Sequence, residues 1–248
     1  MKKYNDPPII EALCAFLFAP DKEYPYDDTV PGTFYNEIKE EFPIKRQINA
    51  LNVTVPLMHP ESQREQPHKI QMASVMQFFT KDNSPIIQIN PNILTINITK
   101  PYLGWEYFKP LIIKNFNIYK KITRPKGLNR IDLRYINKFS FDGLIELDAY
   151  FNYHPSIPKE LPQNLETFQI NAVIPSSEIN RLVLNFNSII EKPGVSSVLL
   201  DLSYFMSIPE RVSFDQLDGW LEDAHKKIET AFESCITDKC RETFGGIK

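Results

Sequence analysis

Glycine is scarce in this 248-residue chain, at 8 residues against 20 prolines. Average usage is about 7 % glycine and about 5 % proline, so the loops here are stiffened by proline rather than loosened by glycine. No Gly-x-Gly-x-x-Gly and no Gly-x-x-x-x-Gly-Lys-Ser/Thr occurs, which removes the two commonest glycine-rich phosphate loops. Cysteine is also sparse: Cys14, Cys235 and Cys240 are odd in number and widely spaced. That excludes a disulfide framework and fits a reducing compartment. Cys14 lies in the apolar run Cys14-Ala15-Phe16-Leu17-Phe18, where burial would hold its thiol protonated and inert. Only four histidines are present, His59, His68, His154 and His225. No His-Glu-x-x-His and no Cys-x-x-Cys occurs, so neither a metal nor a cofactor is expected. A Gly-x-Ser-x-Gly nucleophile elbow is missing as well. No stretch approaches the ~20 apolar residues of a spanning helix. Lys2 and Lys3 are followed by no signal-peptide core, so a cytoplasmic protein without membrane attachment is expected.

The remaining composition is ordinary, with 42 % hydrophobic residues, 24 % charged residues and a formal net charge of −3. Such a chain is long enough for a large core, arranged as one domain or two small ones. Apolar patterning predicts strands at 9–18, 45–55, 69–79, 85–89 and 93–98, with turns at Asp82-Asn83-Ser84 and Asn90-Pro91-Asn92 and a polar loop over 59–67. Phe34, Ile38 and Phe42 give a helix over 33–42, stopped by Pro43. A second helix is predicted over 104–122, with Pro110 either kinking it or opening its longer piece. Further strands are predicted at 128–141, 144–153, 166–174, 181–190 and 195–206, the last two joined by a hairpin at Glu191-Lys192-Pro193-Gly194. Ser213 and Gln216 form a capping box for a terminal helix carrying Leu217, Leu221, Ala224, Ile228, Phe232 and Cys235, with Gly245 as its stop. Hairpin-length connections and segregated helices give an α+β fold of antiparallel meanders with helices on one face. Gly104-Trp105 and Gly219-Trp220 each open a helix after a meander. This suggests two similar halves, 1–127 and 128–248, or one continuous domain.

Candidate binding residues come from a polar alternation. Period two places Arg130, Asp132, Arg134 and Lys138 on one strand face, with Ile131, Leu133, Tyr135 and Phe139 on the other. Glu146 and Asp148, Asn185 and Asn187, and Asp201 and Ser203 suggest similar polar faces on neighbouring strands. Three readings stay open: a solvated face with cross-strand ion pairs, a groove for a small anion or peptide, or paired carboxylates such as Asp148 with Asp201. Residues 109–138 hold nine basic side chains and one acid, a net of +8, while residues 139–248 carry −8. Lys114, Lys120, Lys121, Arg124 and Lys126 are therefore candidates for a partner or nucleic-acid surface, although no helix-turn-helix, RRM or KH signature accompanies them. Pairing with the acidic half of the same chain is the competing reading.

Three segments, Pro7-Pro8-Ile9-Ile10-Glu11-Ala12, Leu133-Arg134-Tyr135-Ile136-Asn137 and Trp220-Leu221-Glu222-Asp223-Ala224-His225 leading into Phe232, together resemble a sporadically distributed prokaryotic family of about this length. The resemblance keeps the order and position of all three. It implies a bacterial or archaeal cytoplasmic protein whose patchy occurrence is like that of mobile-element and phage-defence genes. The family has no established catalytic residues to transfer. Glu11, Arg134 and His225 fall at matching positions and join Arg130 as ligand-binding candidates, with a Glu11–Arg134 pairing as a structural alternative. The favoured expectation is a non-catalytic protein-binding or regulatory component of an anti-phage defence or toxin–antitoxin system, with a protein partner encoded nearby. A small-anion or nucleotide sensor or enzyme on the polar sheet face, and nucleic-acid binding through residues 109–138, are the alternatives. Self-association remains open.

Overall fold

The structure, a computed structural model, describes residues 4, 6–53, 70–192 and 194–245. The loop expected over 59–67, with His59, and the neighbouring His68 lie outside the described residues. The fold is α+β. Nine strands form one antiparallel sheet: β1 (Ile9–Ala19), β2 (Ile44–Val53), β3 (Ile70–Phe79), β4 (Ile86–Asn90), β5 (Ile93–Thr99), β6 (Gly127–Asp142), β7 (Gln169–Pro175), β8 (Asn180–Ile189) and β9 (Val195–Met206). Their spatial order is β2-β3-β4-β5-β1-β6-β9-β8-β7. The helices are α1 (Val30–Ile38), α2 (Trp105–Thr123), α3 (Leu147–Tyr150), α4 (Leu217–Cys235) and α5 (Asp238–Glu242).

The order of pairing explains the echo between the two Gly-Trp sites. In the first half, β1 is followed by a meander, β2 to β5, whose last strand returns to pair with β1. In the second, β6 is followed by β7 to β9, and β9 returns to pair with β6. Each meander then runs into a 19-residue helix, α2 or α4. The two opening strands pair antiparallel with each other at the centre, with Cys14 opposite Leu133 and Ala12 opposite Tyr135. One continuous sheet thus joins the two halves.

Alternation decides which face is buried. Ala12, Cys14, Phe16 and Phe18 of β1 point inward, as do Leu128, Ile131, Leu133, Tyr135 and Phe139 of β6. The helices pack on this face. Phe116 of α2 lies 5.0 Å from Phe16, ring to ring, and 5.7 Å from Phe18. Phe34 of α1 meets Phe78 of β3, and Trp220 of α4 meets Tyr204 of β9. Burying a large apolar side chain contributes about 1.5–3 kcal/mol, so these aromatic layers dominate the stability.

Several local expectations change. The helix predicted over 33–42 starts earlier, at Val30, because Pro31 occupies a first-turn position where a missing N–H costs nothing. It ends at Ile38, although Phe42 still turns inward through its N–H bond to the Ile38 carbonyl. Pro110 neither opens nor breaks α2, which runs through it on the exposed side. The strand predicted over 144–153 is absent. That segment holds the single turn α3, so Glu146 and Asp148 flank the sheet rather than extend its polar face. Aromatic contacts of Tyr150 with Phe141, and of Phe151 with Phe139 and Phe186, hold it in place. The capping box at Ser213 and Gln216 is present, one turn of 3-10 helix ahead of α4, and Gly245 adopts a φ of +89° beyond α5.

Candidate functional site

A cleft of about 480 Å³ opens where the N-terminal segment, the β5–α2 connection, β6 and α4 meet. Gly104 shapes its entrance. With φ at +97° it takes a backbone conformation that L side chains rarely adopt, and its carbonyl accepts the N–H groups of Tyr107 and Phe108 as α2 begins. This turn places Tyr102, Leu103 and Trp105 on the cleft wall. Spacing along α4 supplies the facing side: His225, Ile228, Glu229 and Phe232 recur at three and four residues and share one stripe. Tyr135 and Asn137, two apart on β6, form the floor with Leu202 of β9.

The polar centre of this cleft is a chain of three groups. The hydroxyls of Tyr102 and Tyr135 are 3.2 Å apart, and the Tyr135 hydroxyl lies 3.1 Å from His225 Nδ1. The imidazole stacks on Trp105 at 4.3 Å between ring centroids, with 11° between planes. His225 is only 8 % exposed and its Nε2 has no hydrogen-bond partner. Burial, opposed in part by Glu222, lowers its pKa to about 4, so the ring is neutral at physiological pH. Burial also pushes the Tyr135 and Tyr102 phenols upward. Trp105 is fixed from outside by Glu222, which accepts its Nε1–H at 3.2 Å and pairs with Lys109 at 2.7 Å. The rim and wall carry three carboxylates, Glu106, Glu229 and Glu233, and no lysine or arginine is among the described residues that line the cleft. Desolvation raises the pKa of Glu229.

Of the four ligand-binding candidates, only His225 reaches this cleft. Glu11, Arg130 and Arg134 lie on the opposite sheet face. There Arg134 grips Asp201 through Nε at 2.7 Å and Nη2 at 2.5 Å, and Arg130 pairs with Asp132 at 2.9 Å while lying 3.8 Å from the Phe205 ring centroid. Glu11 accepts the amide of Asn97 at 2.5 Å and influences Arg134 through space without forming an ion pair with it. The row continues outward: Asn97 accepts from Gln88 and Gln88 from Gln77, while Asn185 donates to Asp201 and Asn171 to Asn185. This polar alternation forms a cross-strand hydrogen-bonded network, and Asp201 makes its pairing there rather than with Asp148.

The basic segment is compensated within the chain. Lys114 pairs with Glu41, Lys121 with Glu37, Lys126 with Asp21 and Lys138 with Glu191. Lys120 lies over Phe214 and Arg124 over Tyr24. With Lys109, Arg130 and Arg134 as above, each of its nine cations has an acidic or aromatic neighbour. The three cysteines are buried and their thiols are pushed upward by desolvation. Among the described residues no group of His, Cys, Asp and Glu is placed to hold a metal, and no helix is long and apolar enough to cross a membrane.

Sequence reasoning missed Tyr102, Trp105, Tyr135 and Glu229. A signal existed in the quoted segments: Pro7, Pro8 and Ile9 come from the first, Tyr135 and Asn137 from the second, and His225 and Phe232 from the third, and all line this one cleft. No family model, curated protein or solved structure matches the chain.

Proposed function

We propose that this protein is a non-catalytic binding or regulatory component whose recognition site is the aromatic cleft between β6, α4 and the β5–α2 connection. One observation carries the reading: three segments far apart in sequence, the same three that bear the family resemblance, converge on one concave, mostly apolar pocket with a few fixed polar groups. The resemblance supports a role in a prokaryotic anti-phage defence or toxin–antitoxin system, beside a partner encoded nearby. A ligand seated against Trp105 and His225 would touch both long helices, because these residues stack across the α2–α4 junction. Occupancy would then bias how the two halves of the sheet present themselves to a partner.

The test is a ligand panel read by thermal shift on the wild type and on Leu103→Trp. Leu103 is 61 % exposed at the cleft mouth, so a larger ring there covers the opening without disturbing the core. A ligand that raises the wild-type melting temperature and loses its effect in the variant supports the reading. A panel in which every stabilising compound acts equally on both proteins refutes it. Co-expression with adjacent genes and size exclusion then asks whether a stoichiometric partner is present and whether that ligand changes the complex.

A further inference from the structure

We propose that β7 is a self-pairing edge, through which two copies of this chain form a symmetric dimer with one continuous sheet. The proposal is independent of the cleft. β7 is the last strand of the sheet and pairs with β8 alone. The N–H of Ser188 donates to the Phe168 carbonyl, and that of Ser176 to the Asn180 carbonyl. Between these two anchors, antiparallel alternation turns the backbone groups of Ile170, Ala172 and Ile174 toward β8 and those of Gln169, Asn171 and Val173 outward. No described residue hydrogen-bonds these outward groups. Such a row is a template for another strand unless charge, a bulge or a cover blunts it. β2, at the other edge, carries Lys45 and Arg46. β7 carries no charged residue, its register with β8 is unbroken, and Gln169, Asn171 and Val173 are exposed.

Three features select a second copy as the strand that adds here. The first is the polar row on the open sheet face. Asn185 donates to Asp201 and Asn171 donates to Asn185, so the row ends at this edge on Asn171. With Asn171 on a two-fold axis, each copy's amide meets its own counterpart, and each keeps one N–H and a carbonyl oxygen for that contact. The second is Pro175. In the two-fold register Gln169 faces Val173 of the other copy, and Gln169, Asn171 and Val173 all donate and accept. Pro175, which has no N–H, falls outside these pairs. Registers shifted toward the C-terminal end set Pro175 opposite Gln169 or Asn171 and leave a carbonyl without a donor. The third is charge: the nearest charged residues, Glu166 and Glu178, lie outside the paired residues, so no like charges oppose each other. Directly opposite residues share a face, so the helices of both copies lie on one side of the joined sheet. β1 and β6 already join the two halves of the chain in this way.

Sedimentation velocity and light scattering on the full chain, from about 5 to 500 µM, give the test. One seven-residue strand makes a small interface, so dimerisation on the order of tens of micromolar is expected, with the mass rising from 28.8 kDa toward twice that value. Asn171→Lys and Asn171→Asp, at an exposed site, each set like charges against each other on the axis and should weaken the dimer about tenfold or more. An equimolar mixture of the two variants sets opposite charges there and should restore association as a heterodimer. Val173→Pro removes an outward N–H that β8 does not use, and should weaken the dimer without adding charge. Thermal melts at about 1 µM, below the association range, check that each variant folds. A wild type that stays at 28.8 kDa throughout, a dimer indifferent to Asn171→Lys and Val173→Pro, or folded charge variants whose mixture stays monomeric overturns the proposal.

Discussion

Replacing His225 with phenylalanine should remove a defined component of acid sensitivity. In the folded protein the imidazole is buried against Trp105 and titrates at about 4, against an ordinary 6.5. Between those values the unfolded chain binds a proton that the folded chain refuses, so stability falls as pH drops through this window. A gap of this size corresponds to about 3 kcal/mol once both limits are passed, and to about 2 kcal/mol near pH 5. Above about pH 7 the contribution vanishes, because the ring is neutral in both states. The His225→Phe variant keeps an aromatic ring on Trp105 and leaves the Tyr135 hydroxyl its Tyr102 partner. It should therefore cost only about 1 kcal/mol at neutral pH, the worth of one hydrogen bond. Urea unfolding of both proteins from about pH 4 to 8 gives the assay. The difference between the two curves cancels the other titrating groups, Glu229 included, whose raised pKa acts in the opposite direction. The gap should close and then reverse as the pH falls, leaving the variant the more stable near pH 5. Parallel curves across the window would refute the claim that His225 is held neutral by burial.

Arg134→Ala should destabilise by about 2 kcal/mol, less than a fully buried pair because Arg134 is partly solvated, and Asp201→Leu in the same chain should recover much of it. Denaturation of the single and double variants measures the coupling. Phe18→Ala opens a hole beneath Phe116 and Tyr119 and should cost about 4 kcal/mol, read from the urea midpoint. Lys114→Glu with Lys121→Glu sets glutamates against Glu41, just past the end of α1, and Glu37 on α1, so this double reversal should lower stability by about 1 kcal/mol, and added salt should restore it. A loss indifferent to salt would count against an electrostatic origin. The same variant, tested against a co-purified partner, asks whether this surface also serves an interface.

The sequence by itself determined the fold class, most element positions and the chemistry the chain lacks. Alternation in β6 assigned Arg130, Asp132 and Arg134 to one face and Leu133 and Tyr135 to the other, because side chains change face at every residue of a strand. The terminal helix was legible from its three-to-four spacing and its capping box, both local properties. The segment around Leu147 was misread because its aromatics look like strand residues, and only packing against Phe139, Phe141 and Phe186 makes it a turn of helix. Partner identity lies equally beyond local patterning. The lysines of the basic segment read as a patch, and only the fold sets Glu37 of α1 and Glu41 just beyond it beside them. Arg134 read as a ligand-binding candidate, and only the pairing of β9 with β6 brings Asp201 to it. His225 was visible from the start, but its role was not. The tertiary structure alone places Trp105 of α2 against His225 of α4 and sets Tyr135 beneath them, since no spacing rule connects residues 120 positions apart along the chain.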